Sequence, residues 1–222
     1  MDIRITDDEP TAAVVGAEWL AGQLRNAVRR RGSASLAVSG GSGPVPMWHH
    51  LATLDVPWND VAVWQVDERV APDGDDARNA NQLDILPLRR SNVKPMPVTA
   101  KNLQAAARRY AASLPERFDV VHLGLGDDGH TASWAPGDPV IDLDDPVGIC
   151  GMFNGYVRMT FTPGVVNAAR HRLMHAPGAE KAGPIAQWLL HRAALPVQRV
   201  NRSHTVVVID RAAAAQLPLD AD

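Results

Sequence analysis

The chain has 222 residues, of which 45% are hydrophobic and 21% charged, with a formal charge of −3. This composition is close to that of an average soluble globular domain. A chain of this length can bury a full core without disulfide or metal staples, and its one cysteine, Cys150, cannot close an internal bridge. Basic residues are scattered along the sequence, which argues against nucleic acid as a partner, and no apolar run approaches the roughly 20 residues that cross a bilayer.

The opening residues, MDIRITDDEP, lack the basic and apolar regions of a secretory leader, so a cytoplasmic protein is expected. Thr11 is placed to cap a helix whose apolar positions Val15, Leu20, Leu24 and Val28 keep near-helical spacing up to Gly32. Arg29, Arg30 and Arg31 would complement the dipole at its end. A strand follows over 34–38 (ASLAV), and SGGSGP at 39–44 then leads into a helix over 44–54. Adjacent glycines, the hydroxyls of Ser39 and Ser42, and the free N–H groups of a helix start could together cradle an anion. A plain tight turn is the competing reading, and the string matches neither nucleotide-binding glycine motif.

The next strand, VAVWQV at 61–66, runs directly into Asp67, Glu68 and Arg69. These three read either as a solvated loop or as a guanidinium aimed at negative charge and held by a neighbouring carboxylate. Helical patterns over 79–86 and 101–114 lead to the strand DVVHLG at 119–124. After it, GLGDDGHTAS at 124–133 delivers His130 from a glycine-rich turn, with Asp127 and Asp128 close enough to orient its ring as a general base. Residues 136–146, rich in Asp and Pro, read as a surface loop.

VGICGMF at 147–153 and VRMTFT at 157–162 are two further candidate strands. Cys150 lies in the first and reads as a buried structural thiol. Arg158, alternating with Val157 and Met159, reads as an edge-strand charge or a ligand contact. RLMHA at 172–176 and TVVVID at 205–210 complete the strands, with helices over 179–193 and 211–217. Lys181 stands in the first turn of the former, where a cation opposes the dipole and so points to a bound anion or a solvated surface. The remaining histidines, His175 and His122 among them, show no metal-ligand spacing. Strands alternating with helices make this an α/β chain, with a Rossmann-like, mostly parallel sheet covered on both faces. Ligands in such folds bind beyond the carboxyl ends of the strands.

Taken together and in order, SGGSGP, VDERV, GLGDDGHTAS, RMTFTPGVVNAAR and GAEKA resemble the 6-phosphogluconolactonase family over nearly the whole chain. The resemblance implies a phosphosugar isomerase-type fold and hydrolysis of 6-phospho-D-glucono-1,5-lactone without metal or cofactor. By the same resemblance His130 activates water, Asp128 orients it and Arg69 serves the reaction. Ser39, Gly40, Gly41, Ser42, Asp67, Gly129, Arg158 and Lys181 would meet a small phosphosugar lactone. Gly43, the Arg78-Asn79 pair and the MFNGYV stretch depart from the family pattern, and Arg78 is expected to alter the mouth of the site. The alternatives are a glucosamine-6-phosphate deaminase or isomerase of the same fold, and a phosphosugar sensor without turnover. The oligomeric state stays open, a monomer being one option.

Overall fold

The computed structural model describes residues 1–218. Short β-branched runs form strands β1 (Asp2–Thr6), β2 (Ala34–Val38), β3 (Val61–Gln65), β4 (Asp67–Arg69), β5 (Val93–Lys94), β6 (Val120–Leu123), β7 (Val147–Phe153), β8 (Tyr156–Phe161), β9 (His171–His175) and β10 (Thr205–Asp210). Between them lie helices α1 (Glu9–Arg31), α2 (Val45–Thr53), α3 (Leu103–Ala112), α4 (Pro163–Ala168) and α5 (Ala182–Leu189). Seven strands form one parallel sheet in the order β1-β10-β9-β6-β2-β3-β5. The other three form a small antiparallel sheet, β4-β8-β7.

The large sheet is covered on both faces, as its near-continuous apolar strands require. Leu36, Val38, Val120, Leu173 and Val208 pack under α1 and α2 against Leu20, Leu24 and Leu51. On the other face Trp64, Val121, Leu123 and Met174 meet Tyr110 of α3, Trp188 of α5 and Phe161 of the small sheet. From β2 the chain steps to β3 on one side, while β6 lies on the other. The carboxyl ends of β2 and β6 therefore flank the topological switch point, where an open parallel sheet leaves a crevice.

Several expectations are corrected. Asp8, not Thr11, caps α1: its carboxylate accepts the Thr11 N–H at 2.8 Å, and Pro10 fits the first turn. DIRIT forms a strand the reading overlooked, because its side chains are mostly exposed and no apolar run marks it. Residues 79–85 wind as 3-10 turns, not an α-helix, and 211–217 stay in turns. Asp67–Arg69 is itself a strand, and Arg158 sits in the middle strand of the small sheet, 5% exposed. Among the described residues, no helix is long and apolar enough to cross a membrane. Cys150 is buried as expected; its thiol donates to the Arg158 carbonyl at 3.3 Å, and burial pushes its pKa up to about 12.

Candidate active site

A cleft of about 450 Å³ opens at the switch point. Its walls come from the loop after β2, from β4, from the turn after β6, from β8, and from the end of β9 with the Lys181 turn. Ser39, Gly40, Gly41, Ser42, Asp67, Arg69, His130, Arg158 and Lys181 all border it.

His130 follows β6 on a turn closed by the bond from the Gly126 N–H to the His130 carbonyl, 2.8 Å. A side chain at Gly126 would collide with the His130 ring, so the turn needs glycine there. Nδ1 of His130 lies 2.5 Å from Oδ1 of Asp128, which also accepts the His130 backbone N–H at 3.0 Å. Burial would raise the Asp128 pKa, but these two bonds and the charge of His130 outweigh it and hold the carboxylate below its ordinary range. A carboxylate at Nδ1 selects the tautomer with its proton there, which leaves Nε2 free to accept one. Asp127 does not orient the ring; its carboxylate accepts the Asp128 N–H.

The opposite wall carries two cations. Arg69 and Arg158 are direct cross-strand partners in the β4–β8 pair, so their side chains leave the same face, a like-charge pairing that costs stability unless an anion or carboxylate compensates. Asp67 supplies part of that compensation. It is 4% exposed, takes the Ser133 hydroxyl at 2.6 Å, and has its pKa raised by burial against the pull of Ser133, Arg158 and Arg69.

No carboxylate pairs directly with Arg69 among the described residues, contrary to expectation. Its guanidinium donates instead to the Ala77 carbonyl at 2.8 Å and to Oδ1 of Asn79 at 2.6 Å. Glu68 points the other way and is fully buried. It accepts from Nε2 of Gln65 and from the N–H groups of Arg69, Asn79 and Ala80, all within 2.9 Å. Arg78 pairs with it at 3.1 Å and is 6% exposed. Arg78 therefore does not reach the mouth of the cleft; it neutralises a carboxylate beneath β4.

Asn79 is a further site residue; in the Arg78-Asn79 pair it matches the Ser-Asn of the family pattern, and Arg78 alone departs. Besides holding Arg69, it donates to the Asp67 carbonyl at 3.0 Å and packs so closely on Gly40 that any side chain there would overlap it. Nε2 of Gln82 anchors the same loop through the Gly41 carbonyl, 2.7 Å. The loop offers an anion its own amides: those of Gly40, Gly41, Ser42 and Gly43 donate to no acceptor among the described residues. The start of α2 adds little, since Pro44 and Pro46 have no N–H and Val45 already donates to the Ser42 carbonyl.

Gly129 lies behind the cleft, its carbonyl accepting the Val197 N–H and its α-carbon packed on Leu195. Phe153, in the MFNGYV departure, stands between the two working groups. Its ring meets His130 edge-to-face at 4.9 Å and lies under the Arg158 guanidinium at 5.0 Å. Lys181 is drawn toward Glu180 at 3.5 Å. At the end of β9, His175 also borders the cleft; nothing in the apolar run RLMHA distinguishes it from a core residue. Among the described residues, no cluster of three or more His, Cys, Asp or Glu could hold a metal ion.

The glucosamine-6-phosphate isomerase/6-phosphogluconolactonase family model matches residues 7–209. The chain belongs to this family. A 6-phosphogluconolactonase of Nostoc is 30% identical, with 97% of this chain and 98% of that protein covered. One of Rhizobium meliloti is 32% identical over 89% of this chain and 97% of its own. The crystal structure of a 6-phosphogluconolactonase from Shewanella baltica superposes with a TM-score of 0.84 at 27% identity, covering 95% of this chain and 97% of that one. The family match thus spans most of the chain, and each of the five resembling motifs contributes to the cleft or to the turns that shape it.

Proposed function

We propose that the protein hydrolyses 6-phospho-D-glucono-1,5-lactone to 6-phospho-D-gluconate. The observation that carries this reading is a His130–Asp128 pair on one lip of a cleft whose other wall sets Arg69 directly opposite Arg158. A base facing paired cations suits an anionic ester better than a neutral or cationic substrate. Names of relatives such as the Nostoc protein support the same reading.

In the reaction, Nε2 of His130 takes a proton from water as the water oxygen bonds to the lactone carbonyl carbon. Asp128 stabilises the imidazolium that forms. The tetrahedral oxyanion is met by the cleft cations and loop amides. The bond from the carbonyl carbon to the ring oxygen then breaks, and His130 returns its proton to that oxygen. The phosphate supplies binding energy remote from the reacting bond, through Arg69, Arg158, Lys181 and the free amides of Gly40, Gly41 and Ser42 in the loop after β2. On this reading the chain acts as one domain over residues 1–222, on a small phosphosugar in the cytoplasm, with neither nucleic acid nor membrane as partner.

The test is hydrolysis of freshly generated lactone with the spontaneous rate subtracted. The wild type should accelerate it and His130→Ala should fall by roughly 10²-fold or more while keeping its circular dichroism spectrum. If neither protein exceeds the spontaneous rate the assignment is overturned; equal acceleration by both would overturn the role of His130.

A further inference from the structure

The mechanism leaves one part of the cleft unused. His175 ends β9 at the cleft border and is 5% exposed; its ring nitrogens make no well-formed hydrogen bond among the described residues, although the Ala12 backbone of α1 bears on the ring. Ser39, on the neighbouring loop, is likewise 5% exposed, and its hydroxyl oxygen is also unpartnered. Behind them His122 is fully buried with both ring nitrogens unpaired, its ring centre 6.4 Å from that of His175. Buried polar atoms are nearly always paired in folded proteins, so the unpaired atoms of Ser39 and His175 at the cleft border, with His122 behind them, point to a partner that is not part of the chain.

The chemistry of the group narrows that partner. A neutral imidazole offers one donor and one acceptor, and a serine hydroxyl offers both. None of these carries the charge an anion would select; the positive charge of the cleft is on Arg69, Arg158 and Lys181. The matching group is another hydroxyl, which both donates and accepts.

We propose that His175 and Ser39, backed by His122, form a neutral subsite that recognises a hydroxyl of the sugar chain, separate from the cations that hold the phosphate. This rests on the phosphosugar reading above and adds to it a residue for specificity. His175 is here a binding residue and takes no part in moving the proton.

Two ligands separate the parts: 6-phosphogluconate, which carries both phosphate and hydroxyls, and inorganic phosphate, which carries only the former. Dissociation constants are measured by calorimetry for the wild type, His175→Leu and His175→Asn. His175→Leu should weaken 6-phosphogluconate roughly tenfold, the scale of one well-made hydrogen bond, and leave inorganic phosphate within about twofold. His175→Asn, which can still donate and accept, should recover most of the loss. Weakening of both ligands alike, or of neither, would overturn the subsite. If His175→Leu does not fold, an Asn variant that binds neither ligand as the wild type does overturns it as well. A wild type that binds phosphate but not 6-phosphogluconate would instead sink the phosphosugar reading itself.

Discussion

At the scale of single residues the site depends on how few atoms set the state of His130. The 2.5 Å contact from Nδ1 to Asp128 fixes which nitrogen is free, and the carboxylate that makes it is held ionised by the same bonds. Asp128→Asn keeps the shape but removes the charge that stabilises imidazolium. It should lower kcat on the order of 10²-fold with little change in KM, a split that steady-state kinetics on the lactone will read. The closeness of His130 to an aspartate at the cleft was legible in GLGDDGHTAS because a glycine-rich turn after an apolar strand has few structural reasons to carry a histidine. Asn79 was not legible as a site residue, since its role depends on Arg69 and Gly40 arriving beside it from distant parts of the chain. His175 was hidden for the opposite reason: its apolar neighbours Leu173, Met174 and Ala176 make it look like core, and it is indeed buried.

At the scale of elements, the β7–β8 hairpin couples the base to the cations. A register shift between Cys150 and Phe153 turns Phe153 toward His130, and the carbonyl of the same residue accepts Nε of Arg158 at 3.2 Å. Phe153→Ala removes the ring contacts on both groups at once. Each is worth about 0.5–1.5 kcal/mol, so kcat/KM should drop roughly tenfold. Steady-state kinetics on freshly generated lactone would read that drop. The parallel strands were legible from their apolar runs, and their helices from spacing. Strand β4 was not, because Asp, Glu and Arg read as a loop until the small sheet buries the first two. The turns over 79–85 misled for a related reason: their apolar spacing is helical, but the N–H groups of Asn79 and Ala80 are tied to the buried Glu68 carboxylate and the later turns close in 3-10 fashion, as from the Leu86 N–H to the Leu83 carbonyl.

At the scale of the whole molecule, the buried histidines tie stability to pH. Burial, and for His122 also the nearness of His175, holds both rings neutral; the folded pKa of His122 lies well below 6.5 and that of His175 falls to about 4. The unfolded chain binds protons near pH 6.5, so unfolding takes up protons below that pH, and stability is lost as pH falls from about 6.5 toward 4. For His175 alone the loss amounts to roughly 3 kcal/mol. Urea denaturation at pH 7.5, 6, 5 and 4 should show this slope, and His175→Leu should flatten it.

Val66 joins the two sheets. Its N–H donates to the Val38 carbonyl at the end of β2, and its own carbonyl accepts the Phe161 N–H from β8. With both its backbone groups committed to different sheets, the small sheet is hinged on the large one through a residue that is fully buried. The paired arginines consequently cannot drift from the loop after β2 without breaking a core hydrogen bond. In deuterated solvent the amides of Val66 and Phe161 should therefore exchange together and slowly, at the rate of global opening, making the cleft a rigid mould rather than a jaw. Faster exchange at Phe161 than at Val66 would instead mean that the hairpin lifts on its own.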